Sequence, residues 1–474
     1  MNLGDLPSEE FRAEAHRLVD WIAHYLEGSE RYPVLARVKP GEVRASLPAS
    51  PPASAEPLAA ILADVERVIV PGLTHWNHPA FFAYFANSSP AAAILAEALS
   101  ATFNANGMLW KTAPAATELE LLVLDWLRQM LGLPAGLFGV IQDTASASTL
   151  VALAAAREAV PGLDVRRRGL SGSTRLRMYA SEQAHSSVEK AGIVLGIGQD
   201  GLRKIPTDAE FRMDSSALAL AVTEDRADGW TPFGVTATVG TTSTTSIDPV
   251  PAIADVCQRE GLWLHVDAAY GGSAAVVPEM RFVLAGCERA DSLVVNPHKW
   301  LFVPVDLSVL YTRRPDVVRA AFSLVPEYLR TPEAALAPNL MDYGVSLGRR
   351  FRALKLWMVI RAFGTEGLAA RIREHIRLAQ LFRSWVEADR AFEIAAATPF
   401  SVVCFRARFD GAAAEDADRR NQALMEAVNA TGEAYLSHTK LHGRTVLRLA
   451  VGNLRTEERH VRRAWELLRE YAQA

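Results

Sequence analysis

From about residue 90 onward, short apolar segments alternate with helical segments, and this alternation constrains the fold more than any other feature of the chain. In chain order, the pattern predicts helix 117–131, strand 138–141, helix 147–160, strand 176–180, helix 187–195, helix 214–223, strand 234–239, helix 251–260, strand 262–266 and strand 292–295. Strands that alternate with helices of roughly ten residues indicate βαβ units and a mostly parallel sheet. Such sheets bind ligands at the carboxyl ends of their strands, so functional side chains are expected at that edge.

The pattern changes on both sides of this alternating region. Residues 8–28 place apolar side chains at helical spacing and predict an amphipathic helix, and 48–57 are rich in Pro, Ala and Ser and predict an extended linker. Near the C-terminus, strands are expected at 401–406 and 445–449, with a closing helix at 457–471. We therefore predict an N-terminal helical arm and linker at 1–89, a large α/β domain at 90–362 and a small α+β domain at 363–474.

Composition and charge exclude several classes of protein. The 474 residues carry a net charge of −4, which suggests neither a nucleic-acid partner nor a membrane surface. Cys257, Cys287 and Cys404 are scattered, so neither a disulfide framework nor a zinc or other metal site is expected. The chain opens with acidic and polar residues, and no apolar run reaches the roughly eighteen residues that span a bilayer. A cytoplasmic location is therefore the expectation.

Two of the apolar segments end in residues suited to chemistry. The segment 262–266 runs into Asp267, and the segment 292–295 leads into Lys299. A lysine just past a buried strand is costly unless it loses its charge or finds a partner, and a covalent imine makes use of such a lysine. Together the two residues supply what pyridoxal phosphate (PLP) requires at minimum, a Schiff-base lysine and an acid for the pyridinium nitrogen. The simpler interpretation is that Asp267 caps a helix and Lys299 is a surface residue.

A turn between a predicted strand and a predicted helix offers a phosphate site. Ala145 and Ser146 are small enough to let the backbone approach an anion at the start of a helix. Any turn of this kind can carry Ser and Thr merely as helix caps. Asp143 in the same turn would repel a phosphate, so its side chain is expected to point away or to cap the helix.

Two further polar residues follow predicted strands. His185 directly precedes Ser186, whose spacing from Glu189 is that of a capping box. An imidazole at this place suits stacking on the cofactor ring and binding of the substrate carboxylate, although a lone histidine is often structural. Thr242 follows another strand and would reach the ring or its phenolic oxygen, unless it only serves the turn.

These residues belong to a longer series of motifs. In order, they are His75-Trp76-Asn77-His78-Pro79, Phe81-Phe82-Ala83-Tyr84-Phe85, Thr117-Glu118-Leu119-Glu120, Gln183-Ala184-His185-Ser186-Ser187, His265-Val266-Asp267-Ala268-Ala269-Tyr270, Asn296-Pro297-His298-Lys299-Trp300 and Leu347-Gly348-Arg349-Arg350-Phe351-Arg352. With them the chain resembles the group II PLP-dependent decarboxylases, specifically the aromatic L-amino acid decarboxylases, over nearly its whole length. The resemblance implies a fold-type-I α/β enzyme, like aspartate aminotransferase, that acts as a homodimer with active sites at the subunit interface.

The resemblance also implies roles for individual residues. It carries Lys299 to the Schiff base, Asp267 to the pyridine nitrogen and His185 to ring stacking. Tyr328 falls on the tyrosine of a mobile loop that protonates the substrate Cα. The implied cofactor-binding set is Ala145, Ser146, His185, Thr242, Asp267, Ala269, Asn296, His298, Lys299 and Gly348.

The substrate pocket implied by the resemblance is aromatic. It consists of Trp76, Tyr84, Phe85, Asn87 and His185, together with residues 103–109 of the partner subunit. Aromatic side chains suit a flat substrate ring. Gly348 lacks a side chain at a position that helps to separate indole from phenol substrates in plant relatives, which favours tryptophan-type rings. The chain departs from many relatives at Asp143-Thr144, where they have Gly-Ser, and this bears on substrate preference more than on reaction type.

The predicted activity is decarboxylation of an aromatic L-amino acid (tryptophan, 5-hydroxytryptophan, DOPA, tyrosine or phenylalanine) to the arylalkylamine and carbon dioxide. An aromatic aldehyde synthase is the alternative, but family members of that type tend to lack the loop tyrosine or the stacking histidine, and Tyr328 and His185 are both present. A transaminase would hold the carboxylate differently, and the nearest cations, Arg349 and Arg350, are interpreted as structural and interface residues. The non-enzyme alternative is a protein of the same fold that acts as a scaffold. The presence of every residue proposed for the chemistry argues against it.

Overall fold

The computed structural model describes residues 5–170, 174–324, 329 and 331–473. The chain forms two compact units. The central unit is Asn87–Phe405, and the terminal unit combines Met1–Ala86 with Arg406–Ala474. The three-part division expected from the sequence, with boundaries after residues 89 and 362, remains a prediction.

The central unit is built on a mostly parallel sheet. Its strands are β1 (Phe138–Gln142), β2 (Leu176–Ser181), β3 (Leu202–Ile205), β4 (Thr231–Thr238), β5 (Trp263–Asp267), β6 (Ser292–Val295) and β7 (Ser308–Thr312). The strand order is β1-β7-β6-β5-β4-β2-β3. All neighbours from β3 to β6 are parallel, whereas β7 is antiparallel to both β6 and β1. The mostly parallel sheet expected from the alternating pattern is confirmed.

Helices separate the strands. In chain order the α-helices of the described residues are α1 (Ser8–Glu27), α2 (Glu42–Ala45), α3 (Leu58–Asp64), α4 (Ala91–Phe103), α5 (Pro114–Met130), α6 (Ala145–Glu158), α7 (Val165–Arg168), α8 (Ser186–Val194), α9 (Ser215–Ala227), α10 (Val250–Glu260), α11 (Pro297–Trp300), α12 (Pro315–Phe322), α13 (Ala353–Ala388), α14 (Ala414–Thr431) and α15 (Glu458–Gln473). The predicted helix at 8–28 is confirmed by α1. The long helix α13 has a kink at Gly364, whose φ of 65° is easily adopted only by glycine.

The core of the central unit lies between the sheet and α6. Ala152, Ala155 and Ala156 of α6 are buried in one cluster with Val140 of β1 and Leu310 of β7. Alanines let the helix lie close to the sheet, and the strands beneath it are buried along nearly their whole length. Strands covered on both faces have almost continuous apolar sequences, which explains why β5 and β6 were recognisable from the sequence.

The terminal unit contains α1, α2, α3, α14, α15 and the strands β10 (Ser437–Leu441) and β11 (Arg444–Ala450). β10 and β11 form a hairpin whose turn residues, His442 and Gly443, both have positive φ, as tight hairpin turns require. A small sheet runs in the order β10-β11-β9-β8, with β8 at Phe392–Ile394 and β9 at Val402–Ala407, and the chain passes from one unit to the other within β9. In the described part of the chain, no helix is long and apolar enough to cross a membrane.

Candidate active site

Polar residues converge where the parallel strands end. We call this the carboxyl edge, meaning the residues that directly follow β1, β2, β4, β5 and β6. Asp267 at the end of β5 is in register with Val294 of β6. Just beyond the strands, the N–H of Asn296 donates to the carbonyl of Ala269 at 3.1 Å. The segments that carry Asp267 and Lys299 therefore lie side by side.

Asp267 is a buried carboxylate with a fixed orientation. Its side chain is 5% exposed, and its Oδ1 accepts a hydrogen bond from the N–H of Ala269 at 3.1 Å. This contact holds the carboxylate and leaves Oδ2 for a second donor. A buried charge is costly unless it meets a cation or donors, so Asp267 suits a protonated ring nitrogen.

Lys299 lies on the short helix α11, which begins directly after Asn296. The side chain is partly buried, and burial lowers the pKa of its amine because the ammonium loses water, while the Asp267 carboxylate opposes this shift. A lysine with a lowered pKa has a larger share of neutral, nucleophilic amine. The interpretation of Lys299 as a surface residue does not match this burial.

An aromatic cluster fixes the helix that carries Lys299. Trp300 stacks on Tyr270 with ring centroids 4.9 Å apart, and its indole N–H donates to His375 at 3.0 Å. The Tyr270 hydroxyl lies 2.6 Å from Ser401 Oγ, and Phe400 packs edge-on against both rings. Tyr270 and Trp300 stand in the quoted motifs, but their partners lie far away in the sequence, so this support was not predicted.

His185 caps helix α8 with its own ring. Its Nδ1 accepts the N–H of Ser187 at 3.1 Å and lies 2.9 Å from Ser187 Oγ. Because a backbone N–H can only donate, Nδ1 carries no proton, and the neutral ring bears its proton on Nε2. Burial lowers the pKa of His185, Asp267 opposes the shift, and Lys299 adds to it, so all three residues lie within electrostatic range.

The turn between β1 and α6 has the form of an anion site. The first N–H groups of α6, which begins at Ala145 and Ser146, have no partner within the helix. Thr144 caps the helix, accepting the N–H of Ala147 at 3.3 Å. Asp143 does not cap the helix but binds Arg352 at 2.8 Å. Of the two expectations for its carboxylate, helix capping is therefore wrong.

Asn296 and His298 form a buried pair at the start of α11. The imidazole Nδ1 of His298 accepts the N–H of Leu307 at 2.9 Å, and its Nε2 lies 3.3 Å from Asn296 Nδ2. Asn296 is 1% exposed, and its Oδ1 has no hydrogen-bond partner among the described residues. A buried amide oxygen without a donor requires an explanation.

A buried carboxylate holds the loop after β4 in place. Thr242 is exposed on this loop, whereas the neighbouring Thr241 is buried. Asp248, at 1% exposure, accepts the N–H of Thr238 and the N–H of Met213, both at 2.7 Å. This carboxylate ties the loop to the end of β4 and was not found from the sequence, since nothing local marks its partners.

Comparison with known proteins identifies the family of the chain. The family model described as "Pyridoxal-dependent decarboxylase conserved domain" matches residues 40–408. A tryptophan decarboxylase of Camptotheca acuminata is 44% identical over 99% of this chain and 96% of its own length. A phenylacetaldehyde synthase of a Rosa hybrid cultivar is 41% identical over 99% of this chain and 95% of its own length. The chain belongs to the pyridoxal-dependent decarboxylases.

A solved structure agrees with this assignment. The crystal structure of Oryza sativa TDC with PLP and tryptamine superposes with a TM-score of 0.96 at 42% identity, covering 100% of this chain and 99% of that one. The predicted fold class of PLP-dependent enzymes, a mostly parallel sheet with a small C-terminal α+β part, is confirmed. The enzyme belongs to the aromatic amino acid decarboxylase family, which also contains aldehyde synthases, and its cofactor is PLP.

The residues of the carboxyl edge fit PLP chemically. Lys299 offers an amine of lowered pKa for the aldehyde, and Asp267 offers a buried carboxylate for the ring nitrogen. The first turn of α6 offers N–H groups for the phosphate, and the unsatisfied Asn296 amide points to a missing polar partner nearby. These are the three contacts that the cofactor requires of a protein.

Gly348 and Asn87 also belong to the central unit. Gly348 is exposed, and a Cβ added there would meet only the Asn106 side-chain nitrogen, at 3.8 Å. The next residue, Arg349, donates to Glu120 at 2.7 Å and to the carbonyl of Ile141 at 2.8 Å. This buried ion pair, which was interpreted as structural from the sequence, fastens the loop to the end of β1.

Trp76, Tyr84 and Phe85 lie in the terminal unit. Trp76 stacks on Phe81 at 4.3 Å and on Tyr84 at 6.0 Å, and the Tyr84 hydroxyl lies 3.2 Å from that of Tyr435. Trp76 and Tyr84 remain 39% and 51% exposed, so the terminal unit presents an aromatic surface. Tyr435 joins this group from a distant part of the chain, and no local sequence pattern predicts its position.

The remaining expectations concern the proton donor and the segment assigned to the partner's site. Tyr328, assigned as the proton donor, lies outside the described residues. In the segment expected to reach the partner's site, Phe103 is 56% exposed, but Leu109 is buried against Leu329 and Met341 of its own chain. The exposed part of that segment is therefore its beginning.

Proposed function

We propose that this enzyme decarboxylates an aromatic L-amino acid to the arylalkylamine and carbon dioxide, with tryptophan-type substrates favoured over tyrosine-type ones. The observation that carries the proposal is the placement of Asp267 and Lys299 on adjacent segments that follow β5 and β6, with His185 within electrostatic range of both. An amine, a carboxylate and an imidazole so arranged supply a covalent anchor, a ring partner and a carboxylate ligand for an amino-acid substrate.

Each residue of the edge has a separate task in this proposal. When bound, PLP supplies an electron-poor ring that takes up the electron pair of the bond broken at Cα. Lys299 holds the cofactor aldehyde, and Asp267 keeps the proton on the ring nitrogen. His185 presents its Nε2–H to the substrate, since Nδ1 is occupied by Ser187. Tyr328 would deliver the proton that replaces the lost carboxylate.

The aromatic preference rests on the room at one glycine of the central unit and on the names of the relatives. Gly348 leaves the room of a side chain free, which a two-ring indole needs more than a phenol does. The Camptotheca relative, named a tryptophan decarboxylase, supports the same preference.

An aldehyde synthase is the second candidate, because the Rosa relative of equal coverage bears that name. It differs in what happens at Cα after carbon dioxide leaves: a proton gives the amine, whereas oxygen and one water molecule give the aldehyde, ammonia and hydrogen peroxide. Tyr328 and His185 both favour the amine. Replacing Tyr328→Phe is expected to raise the share of aldehyde, measured as peroxide released per carbon dioxide; an unchanged share would contradict its role as proton donor.

We also propose that the enzyme is a homodimer. Leu95, Leu99 and Phe103 lie four residues apart along α4 and are 54%, 41% and 56% exposed. An apolar stripe of this kind is costly in water unless a second surface covers it. Light scattering should give twice the chain mass of 51.7 kDa, and Leu99→Glu should shift the protein toward the monomer. A monomer in the wild type would refute the proposal. A cytoplasmic location remains a prediction from the sequence.

The function is tested by a substrate panel. The PLP-loaded protein is given tryptophan, 5-hydroxytryptophan, DOPA, tyrosine, phenylalanine and glutamate, and amine, carbon dioxide and peroxide are measured for each. The expected result is amine and carbon dioxide in equal amounts from the aromatic substrates, highest for an indole, and none from glutamate. Peroxide in equal amount to carbon dioxide would replace the proposal by the aldehyde synthase.

A further inference from the structure

His298 has a fixed protonation pattern. Its Nδ1 accepts the N–H of Leu307 at 2.9 Å, so the proton of the neutral ring is on Nε2. The side chain is 7% exposed, and burial together with the Lys299 ammonium lowers the pKa of His298 to about 4. Near neutral pH, His298 is therefore an Nε2–H donor.

The Nε2–H group of His298 faces the NH2 group of the Asn296 amide, which cannot accept a hydrogen bond. His298 Nε2 lies 3.3 Å from Asn296 Nδ2, and two donors cannot share a hydrogen bond. At the other end of the amide, Asn296 Oδ1 is buried and finds no donor in the described part of the chain. A half-turn of the amide group exchanges the two atoms, gives Oδ1 the His298 proton and turns the Nδ2 hydrogens to the place that Oδ1 held.

Contacts connect this amide to the start of α6. Ser148 of α6 lies 2.8 Å from Ser308 Oγ of β7, and the residue before Ser308 is Leu307, which binds His298. Asn296 and the first turn of α6 thus flank the same end of β7. An amide oxygen aimed at a phosphate bound there would repel it, whereas an amide N–H group would donate to it.

We propose that His298 is a positioning residue for the cofactor phosphate: its Nε2–H holds the oxygen of Asn296, and the Asn296 amide then presents its N–H donors to the phosphate. This rests on the cofactor site described under the proposed function. In this proposal His298 acts through Asn296 and not by its own contact with the phosphate, which differs from the direct cofactor-binding role that the family resemblance implies for it. Its contribution is to decide which end of the amide the phosphate meets.

Two substitutions of His298 separate the two ring nitrogens. His298→Gln places its amide near the position of Nε2 and can donate to Asn296, whereas His298→Asn places its amide near the position of Nδ1, where its oxygen can accept the Leu307 N–H, and leaves no donor near Nε2. The dissociation constants of PLP and of pyridoxal, which lacks the phosphate, are measured on the apoprotein by absorbance and fluorescence. We expect His298→Asn to weaken PLP about 10- to 100-fold, the loss of a hydrogen bond to a charged group, and His298→Gln to stay within about threefold of the wild type.

The matched controls define the outcome. Asn296→Ala should weaken PLP as much as His298→Asn, the double variant should be no weaker than either, and pyridoxal binding should be unchanged in all of them. Additive losses, or equal losses of PLP and pyridoxal, would overturn the proposal. If His298→Asn does not fold, Asn296→Asp decides: its carboxylate should weaken PLP more than Asn296→Ala does, and an equal or smaller loss would refute the proposal. No substrate is used, so the outcome is independent of whether aromatic amino acids are decarboxylated.

Discussion

The two ends of the central sheet differ in how their charged groups are satisfied. At the carboxyl edge, Asp267, Lys299 and His185 are buried or partly buried and act on one another. At the opposite end, which we call the amino edge, a cavity of about 660 Å³ lies around the beginnings of β4 and β5. That cavity is lined by several arginines, Trp263 and Asp291.

Arginines that line this cavity already have partners at two positions. Arg289 binds Asp255 at 2.7 Å, and Arg314 lies over the Trp263 ring at 5.0 Å. Near the surface, an ion pair of this kind contributes little to stability. The carboxyl edge instead retains an unsatisfied amide oxygen at Asn296 and an amine of lowered pKa at Lys299. The comparison teaches that a buried carboxylate, an amine of lowered pKa and an unsatisfied amide oxygen on neighbouring segments mark the site better than the volume of a cavity does.

The sharpest contrast between the two edges comes from removing one cation at each. Lys299→Ala is expected to lower kcat by more than about a thousandfold, because the covalent anchor of the cofactor is lost. Arg314→Ala at the amino edge should leave kcat/KM within about twofold, as for most surface substitutions. Both are measured as amine formation from tryptophan. A large loss in Arg314→Ala would show that the amino edge also takes part.

The two edges also differ in how a buried carboxylate supports the fold. Asp248→Ala leaves two buried N–H groups without an acceptor and should lower the free energy of unfolding by about 2–4 kcal/mol. Asp291→Ala at the amino edge removes an acceptor from one N–H group, that of Leu264, and should lower it by about 1 kcal/mol. Urea unfolding measures both. Equal losses would remove this difference between the edges.

The same carboxylate predicts a dependence on pH. Burial raises the pKa of Asp248 from 3.8 to about 6. A raised pKa means that the folded state holds the proton more tightly, so the contribution of Asp248 is complete below about pH 4 and is lost as the pH rises through 6. The difference in unfolding free energy between the wild type and Asp248→Ala should therefore be smaller at pH 7.5 than at pH 5. A larger difference at pH 7.5 would contradict the raised pKa.

A substitution at Gly348 tests whether the space there favours indole substrates. Gly348→Ser should lower kcat/KM for tryptophan relative to tyrosine by about tenfold, the usual effect of one small group in a substrate pocket. The thermal midpoint should not change, because the new Cβ meets only the Asn106 nitrogen, at 3.8 Å. An unaltered substrate ratio would place Gly348 outside the pocket.

The smallest effect concerns the acid in the phosphate turn. Asp143 is half exposed and is held by Arg352, so its repulsion of a phosphate is already weakened. Asp143→Ser should tighten PLP about two- to fivefold at low salt and less at high salt, because exposed charges are screened. Asp255→Ser at the amino edge is the matched control and should not change PLP binding. Weaker binding in Asp143→Ser would mean that its pair with Arg352 helps to build the site.

Much of this edge could be predicted because its signals are local. The strands β5 and β6 are nearly continuous apolar runs, and Asp267 and Lys299 stand just where these runs end. Whether the residues assigned to the site bind PLP is still a prediction. What the sequence supports is that a carboxylate and an amine follow neighbouring parallel strands, and the register of β5 and β6 agrees with this.

The errors and omissions come from contacts between distant residues or from competing caps. The capping box predicted from Ser186 is wrong, because the His185 ring caps α8 and Ser186 is already helical. The antiparallel strand β7 was not predicted, since its direction depends on pairing with β1 and β6 and not on its own residues. The pairing of Asp143 with Arg352 joins positions more than 200 residues apart, which no local pattern reveals.

The central claim is that Lys299 holds the cofactor at the carboxyl edge. The most direct measurement is reduction of the PLP-loaded enzyme with borohydride, followed by mass mapping of the labelled peptide. The chain offers a natural comparison in Lys355, a buried lysine that also has a lowered pKa and is bound to Glu97 at 2.6 Å. We expect the label on Lys299 alone; a label on Lys355 or on any other lysine would contradict the claim.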